Sequence, residues 1–99
     1  MSYEIIISIA ALLDIEEAAT WYENQNLNLG SDLRESLLES LSKLELNPFI
    51  STKKYKEIRV LYIRRFPYGI HFTIDGDKVK IYGFFHMKRN PTKWLERLK

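Results

Sequence analysis

The stretch YGIHFTIDGDKVKIYGFFH, residues 68–86, decides the fold. Apolar and polar residues alternate on both sides of Asp75-Gly76-Asp77, which reads as a β-hairpin. Its loop length is set by register, because a strand turns alternate side chains to opposite faces. A three-residue loop would set Ile74 against Lys78 and Phe72 against Lys80, which wastes the apolar face. A two-residue turn at Gly76 instead sets Ile70, Phe72 and Ile74 against members of Val79, Ile81, Gly83 and Phe85. The expected core face is therefore Ile70, Phe72, Ile74, Val79, Ile81 and Phe85. The opposite face carries His71, Thr73, Lys78, Lys80, Tyr82, Phe84 and His86. On that face Phe84 is an exposed aromatic and a candidate for self-association.

Working outward, EIRVLYIRRF (57–66) reads as a further strand, set off by Pro67. The lysine-rich stretch 53–56 before it reads as an exposed loop. YEIIISI, from Tyr3 to Ile9, is a first strand, and Ser8 is placed to cap a helix beginning at its end. From Ala11 to about Gln25, Leu12, Ile15, Ala19 and Tyr22 recur at helical spacing with glutamates between them. NQNLNLG is a polar turn. A second helix, with Leu33, Leu37, Leu41 and Leu44 on one face, runs to about Leu46, where Asn47-Pro48 ends it. So short a link makes the two helices an antiparallel hairpin. NPTKWLERLK at the end reads as a break and one short helical turn. The class is α+β: a single domain over 1–99, in the order β-α-α-β-β-β, with a helical hairpin on one side of a mainly antiparallel sheet.

Composition narrows the function. The 99 residues contain no cysteine, so disulfides and thiolate metal sites are excluded, which agrees with a reducing cytoplasm. The opening MSYEIIISIAALLDIEE has no basic n-region and does not read as a signal peptide. No apolar run approaches the roughly 20 residues of a membrane span. The net charge of +2 conceals a split. Residues 1–50 hold two basic side chains against nine acids, and residues 51–99 hold thirteen against four. Either a basic surface faces phosphate or an acidic protein, or acidic helices and a basic sheet neutralise each other.

The chain has no phosphate-binding glycine loop, nucleophile elbow or metal-spaced histidine pair, and no cofactor is expected. What remains is a basic and aromatic set in the second half, which includes Lys53, Lys54, Arg64, Arg65, Tyr82, His86, Lys88 and Arg89. Metal-free phosphodiester cleavage needs a proton acceptor, a proton donor and cations on the phosphate. Histidine suits the first two and arginine the third. Tyr82 could stack on a base. Each residue also has a plainer reading. His86 can simply bond backbone or water, Arg64 and Arg65 can be solvated strand-end charges, and His71, Trp21 and Trp94 can be packing residues.

Taken together, DIEEAATWYE (14–23), LG (29–30), RRFPYGIHFTID (64–75) and IYGFFHMKRNPTKW (81–94) resemble the RelE/ParE superfamily of type II toxin–antitoxin toxins, often labelled plasmid stabilisation proteins. The signature maps onto Arg65, Phe66, Pro67 and Tyr68, then His86, Arg89, Pro91 and Trp94. The resemblance implies a growth-inhibiting toxin neutralised by a cognate antitoxin. RelE-like members cleave mRNA on the ribosome without metal, whereas ParE-like members inhibit DNA gyrase and are not nucleases. The nuclease alternative assigns His86, Arg65 and Arg89 to catalysis. Lys53, Lys54, Arg64, Tyr82 and Lys88 then bind substrate or partner. Met87 stands directly after His86, where that alternative calls for a tyrosine. A third alternative is a toxin that retains only antitoxin binding. The antitoxin segment is expected to be acidic and amphipathic and to fold over the basic sheet face.

Overall fold

The computed structural model describes residues 2–89 and 91–98. Asn90 of the expected Asn-Pro break lies outside them. Strand β1 (Glu4–Ile7) leads into helices α1 (Ile9–Gln25) and α2 (Leu29–Leu46) and a short 3-10 turn (Pro48–Ile50). Strands β2 (Lys53–Tyr55), β3 (Ile58–Tyr62), β4 (Tyr68–Asp75) and β5 (Lys78–His86) come next, and helix α3 (Pro91–Glu96) ends the chain. The sheet order is β1-β5-β4-β3-β2, with β1 parallel to β5 and every other pair antiparallel. The α+β hairpin-on-sheet architecture stands. The expected loop at Lys53–Lys56 is mostly strand, because Lys53 and Tyr55 pair with Arg59 and Ile58 at the sheet edge.

Local chemistry sets the helix ends. Ser8 accepts the Ala11 N–H at 3.0 Å and caps α1. Glu23 reaches forward to accept the N–H groups of Asn28 and Gly30, two donors that the first turn of α2 leaves without intrahelical partners. The hairpin closes tightly at Gly30, where a Cβ would stand 2.7 Å from the Ala19 carbonyl oxygen. Ile15 and Ala19 of α1 and Leu33, Leu37 and Leu44 of α2 are buried as expected. Leu12 is the exception: it is exposed, while Ala11 and Ala18 take the buried positions.

The two-residue turn is present, with Asp75 paired to Lys78 and Ile74 to Val79. Beyond Phe72 and Ile81, however, His71 pairs with Gly83, which leaves Tyr82 as an extra residue on β5. Such a bulge reverses the parity of everything after it. Ile70 now opposes Phe84, and Phe84 rather than Phe85 joins the core under the helices. Phe84 is buried, so it offers no exposed ring for self-association. Phe85 turns to the other face, where a second aromatic cluster forms with His71, Trp94 and Tyr55. Trp94 is a packing residue, in line with its plainer reading.

β1 pairs with β5 only across Lys78–Ile81 and then turns into α1. The rest of the β5 edge is completed by side chains. Phe84 N–H donates to Asp14 Oδ2 at 3.1 Å, and Arg97 donates to the Tyr82 carbonyl at 3.0 Å. Arg97 also forks onto both oxygens of Asp14 and lies over the Phe85 ring. This clasp holds the C-terminal segment against α1.

Candidate functional site

The reversed parity brings His86 to the helix side of the sheet, opposite Tyr68. Unbroken alternation would have put it on the face of His71. The end of β5 and the second half of α1 then enclose a cleft of about 250 Å³. Its walls are aromatic: Trp21 and Tyr22 come from α1, and Tyr68 and Phe84 from the hairpin. Tyr68 stacks on Phe84 with ring centres 4.9 Å apart and meets His86 edge-on at 5.2 Å. Tyr22 meets Tyr68 edge-on at 6.2 Å. Trp21, expected to pack internally, is 56% exposed and forms part of the rim.

The polar groups sit at the mouth and floor. His86 Nδ1 accepts the Lys88 N–H at 3.1 Å, which places the proton of the neutral ring on Nε2. Arg89 curls back around the strand end, its guanidinium 5.2 Å from the centre of the Phe85 ring. It makes no ion pair among the described residues. Glu17 lines the α1 side, and Asp14 lies deeper, already committed to Arg97. Burial holds the Tyr68 hydroxyl above its ordinary pKa, an effect that the Tyr22 and Glu17 charges reinforce and Arg89 opposes.

The family model described as the ParE toxin of type II toxin–antitoxin systems, parDE, matches residues 5–91 and so takes in both walls of this cleft. The chain belongs to the ParE toxin family. A solved structure described as the chromosomal ParDE TA system from P. aeruginosa superposes with a TM-score of 0.69 at 14% identity. The superposition covers 86% of this chain and 96% of that one, a likeness of fold. A sequence search of curated proteins found no match. Membership of a toxin–antitoxin family implies an antitoxin partner. No helix of the described residues is long and apolar enough to cross a membrane.

Within this ParE fold the sequence-predicted cations divide. His86 and Arg89 share the cleft, with Lys88 exposed between them. Arg65 lies in the loop before Tyr68, in the left-handed region at φ 72°, and pairs with Asp32 of α2 at 3.4 Å. Arg64 pairs with Glu39 at 2.9 Å. Lys53 is held by Glu57 at 2.7 Å on the edge strand, and Lys54 lies over the Tyr62 ring. Tyr82 sits at the bulge, its hydroxyl 3.4 Å from that of Thr73, away from the cleft. The acidic helices therefore neutralise part of the basic half, in line with the second of the two charge readings.

Sequence reasoning missed Trp21, Tyr68 and Glu17 as cleft residues. Gly83 could have signalled only the β5 side of the cleft, since a glycine inside a strand pattern marks a bulge and hence a change of parity for Phe84 and His86. A Cβ at Gly83 would come within 2.4 Å of the Phe85 ring, so the glycine makes room for that side chain.

Proposed function

We propose that this ParE-family chain is a growth-inhibiting toxin that acts by binding a protein target of the DNA gyrase kind. Its contact surface is the face around Trp21, His86 and Arg89, and an antitoxin neutralises it. One observation carries the reading: Arg64, Arg65 and Lys53 are engaged with carboxylates on α2 or the β2–β3 turn. They form no common cradle around His86, and stabilising a phosphorane needs cations converging on one point. Exposed aromatic surface beside an arginine with no ion pair among the described residues is instead typical of protein-binding hot spots.

A second reading rests on the cleft itself. Glu17, His86 and Arg89 line one space, and a carboxylate, an imidazole and a guanidinium could serve as base, acid and phosphate binder in RNA cleavage. Inducible expression of the wild type and of His86→Ala decides between them. Continued protein synthesis with altered plasmid supercoiling and cleaved plasmid, weakened but not abolished in the variant, is the expected result. Early arrest of translation that disappears in His86→Ala would replace the gyrase reading with the ribosomal one. No growth effect of the wild type would leave antitoxin binding as its remaining activity.

A further inference from the structure

The cleft beside His86 has a shape and charge pattern that specify what it can hold. At about 250 Å³ it falls just below the roughly 300 Å³ at which pockets for drug-sized ligands begin. That is room for one large side chain to lie within the cleft. The walls offer ring faces and edges set at steep angles to one another, an arrangement that suits an inserted aromatic ring.

The charges are placed asymmetrically. On the β5 side Arg89 has no ion-pair partner among the described residues, and His86 keeps its Nε2–H free of the Lys88 contact. Both can donate to an anion. On the α1 side Glu17 makes no ion pair or hydrogen bond among the described residues and can accept an N–H. Asp14 is neutralised by Arg97 and adds little. A single carboxylate beside Arg89 is therefore favoured, while a run of phosphates would meet Glu17.

We infer that the cleft is an anchor site for one aromatic side chain of a partner protein whose neighbouring carboxylate pairs with Arg89. This rests on the reading that the toxin acts by protein binding, and it names the chemistry of the segment recognised. Within such a segment the ring enters between Trp21 and Tyr68, its backbone N–H points to Glu17, and the carboxylate meets Arg89 and His86.

The test is an NMR titration of the whole chain, with the Trp21 indole N–H as reporter and the buried Trp94 indole as internal control. The probes are N-acetyl-phenylalanine, its amide, and the dinucleotide uridylyl-uridine. N-acetyl-phenylalanine should shift Trp21, Phe84 and His86 but not Trp94, with a Kd of roughly 1–10 mM. The amide should bind about threefold more weakly, the scale of an exposed ion pair, and Arg89→Gln should abolish that difference. Trp21→Ala, followed through Phe84 and His86, should weaken both phenylalanine probes. No shift with either of these probes overturns the inference, and so does uridylyl-uridine binding the same residues more tightly. The plasmid and translation readouts remain separate. Probe binding by a toxin that stops translation removes the gyrase reading only, and gyrase inhibition with a cleft blind to the probes removes this inference only.

Discussion

Asp14 accepts from both terminal nitrogens of Arg97, at 2.8 and 3.2 Å, and from the Phe84 N–H on the open edge of β5 at 3.1 Å. One carboxylate thus replaces the hydrogen-bonding strand that β1 ceases to supply after Ile7. It joins α1, the hairpin and the C-terminal segment at a point with little access to water, its side chain only 12% exposed. Asp14→Ala leaves the Arg97 charge and the Phe84 N–H without their partner. The expected loss is about 2 kcal/mol or more, short of the roughly 3–5 kcal/mol for a fully buried pair. It should appear in urea denaturation and as early hydrogen exchange at Phe84.

His71 gives the fold its expected pH dependence. The ring is 2% exposed, its Nδ1 shares a 3.0 Å hydrogen bond with the Tyr55 hydroxyl, and burial lowers its pKa from 6.5 to about 4. The same burial raises the Tyr55 hydroxyl to about 12. Between those two histidine values the unfolded chain binds a proton that the folded one refuses. Stability therefore falls as pH drops from 6.5 towards 4, by an amount on the order of 3 kcal/mol. Thermal melts across that window should show the decline, and His71→Gln should flatten it.

The bulge at Tyr82 makes a sharper prediction. Deleting that residue would close the bulge while leaving His71 opposite Gly83 and Ile70 opposite Phe84, so Phe84 stays under the helices and Phe85 on the other face. Both rings would keep their present space, and the direct loss is the Tyr82 carbonyl that accepts from Arg97. The deletion should therefore still fold, at a cost of about 1–3 kcal/mol. Loss of a cooperative circular dichroism melt would contradict the register.

Gly30→Ala tests the helical hairpin separately. The added methyl would meet the Ala19 carbonyl at 2.7 Å, and a backbone atom cannot rotate out of the way. Overpacking of this kind costs about 1–3 kcal/mol. Equilibrium unfolding should show a lower midpoint with an unchanged denaturant slope.

The exposed rim residues should behave in the opposite manner. Trp21→Ala and Arg89→Glu remove little internal packing, so stability should stay within about 0.5 kcal/mol. Growth inhibition should fall about tenfold or more in each, the effect of losing a binding hot spot. Colony counts after induction, with matched soluble protein levels, measure it. Full toxicity in both well-folded variants would place the target surface elsewhere.

The sequence by itself determined the local structure: the Ser8 cap, the helical spacing of Leu33, Leu37 and Leu44, and the two-residue turn at Gly76. Each depends on neighbours within a few residues, and the motifs around Pro67 and His86 carried the family likeness. Tertiary structure decided which face His86 occupies, because one extra residue at Tyr82 reverses parity without altering the alternation on either side of it. It also decided which cations are free. Arg65 and Arg89 look alike in the chain, but Asp32 on α2 lies beside the first, and among the described residues no carboxylate pairs with the second. The Arg65–Asp32 pairing joins residues more than thirty positions apart, and no local pattern encodes it. The cleft exists only because α1 brings Trp21 and Glu17 across from the end of β5.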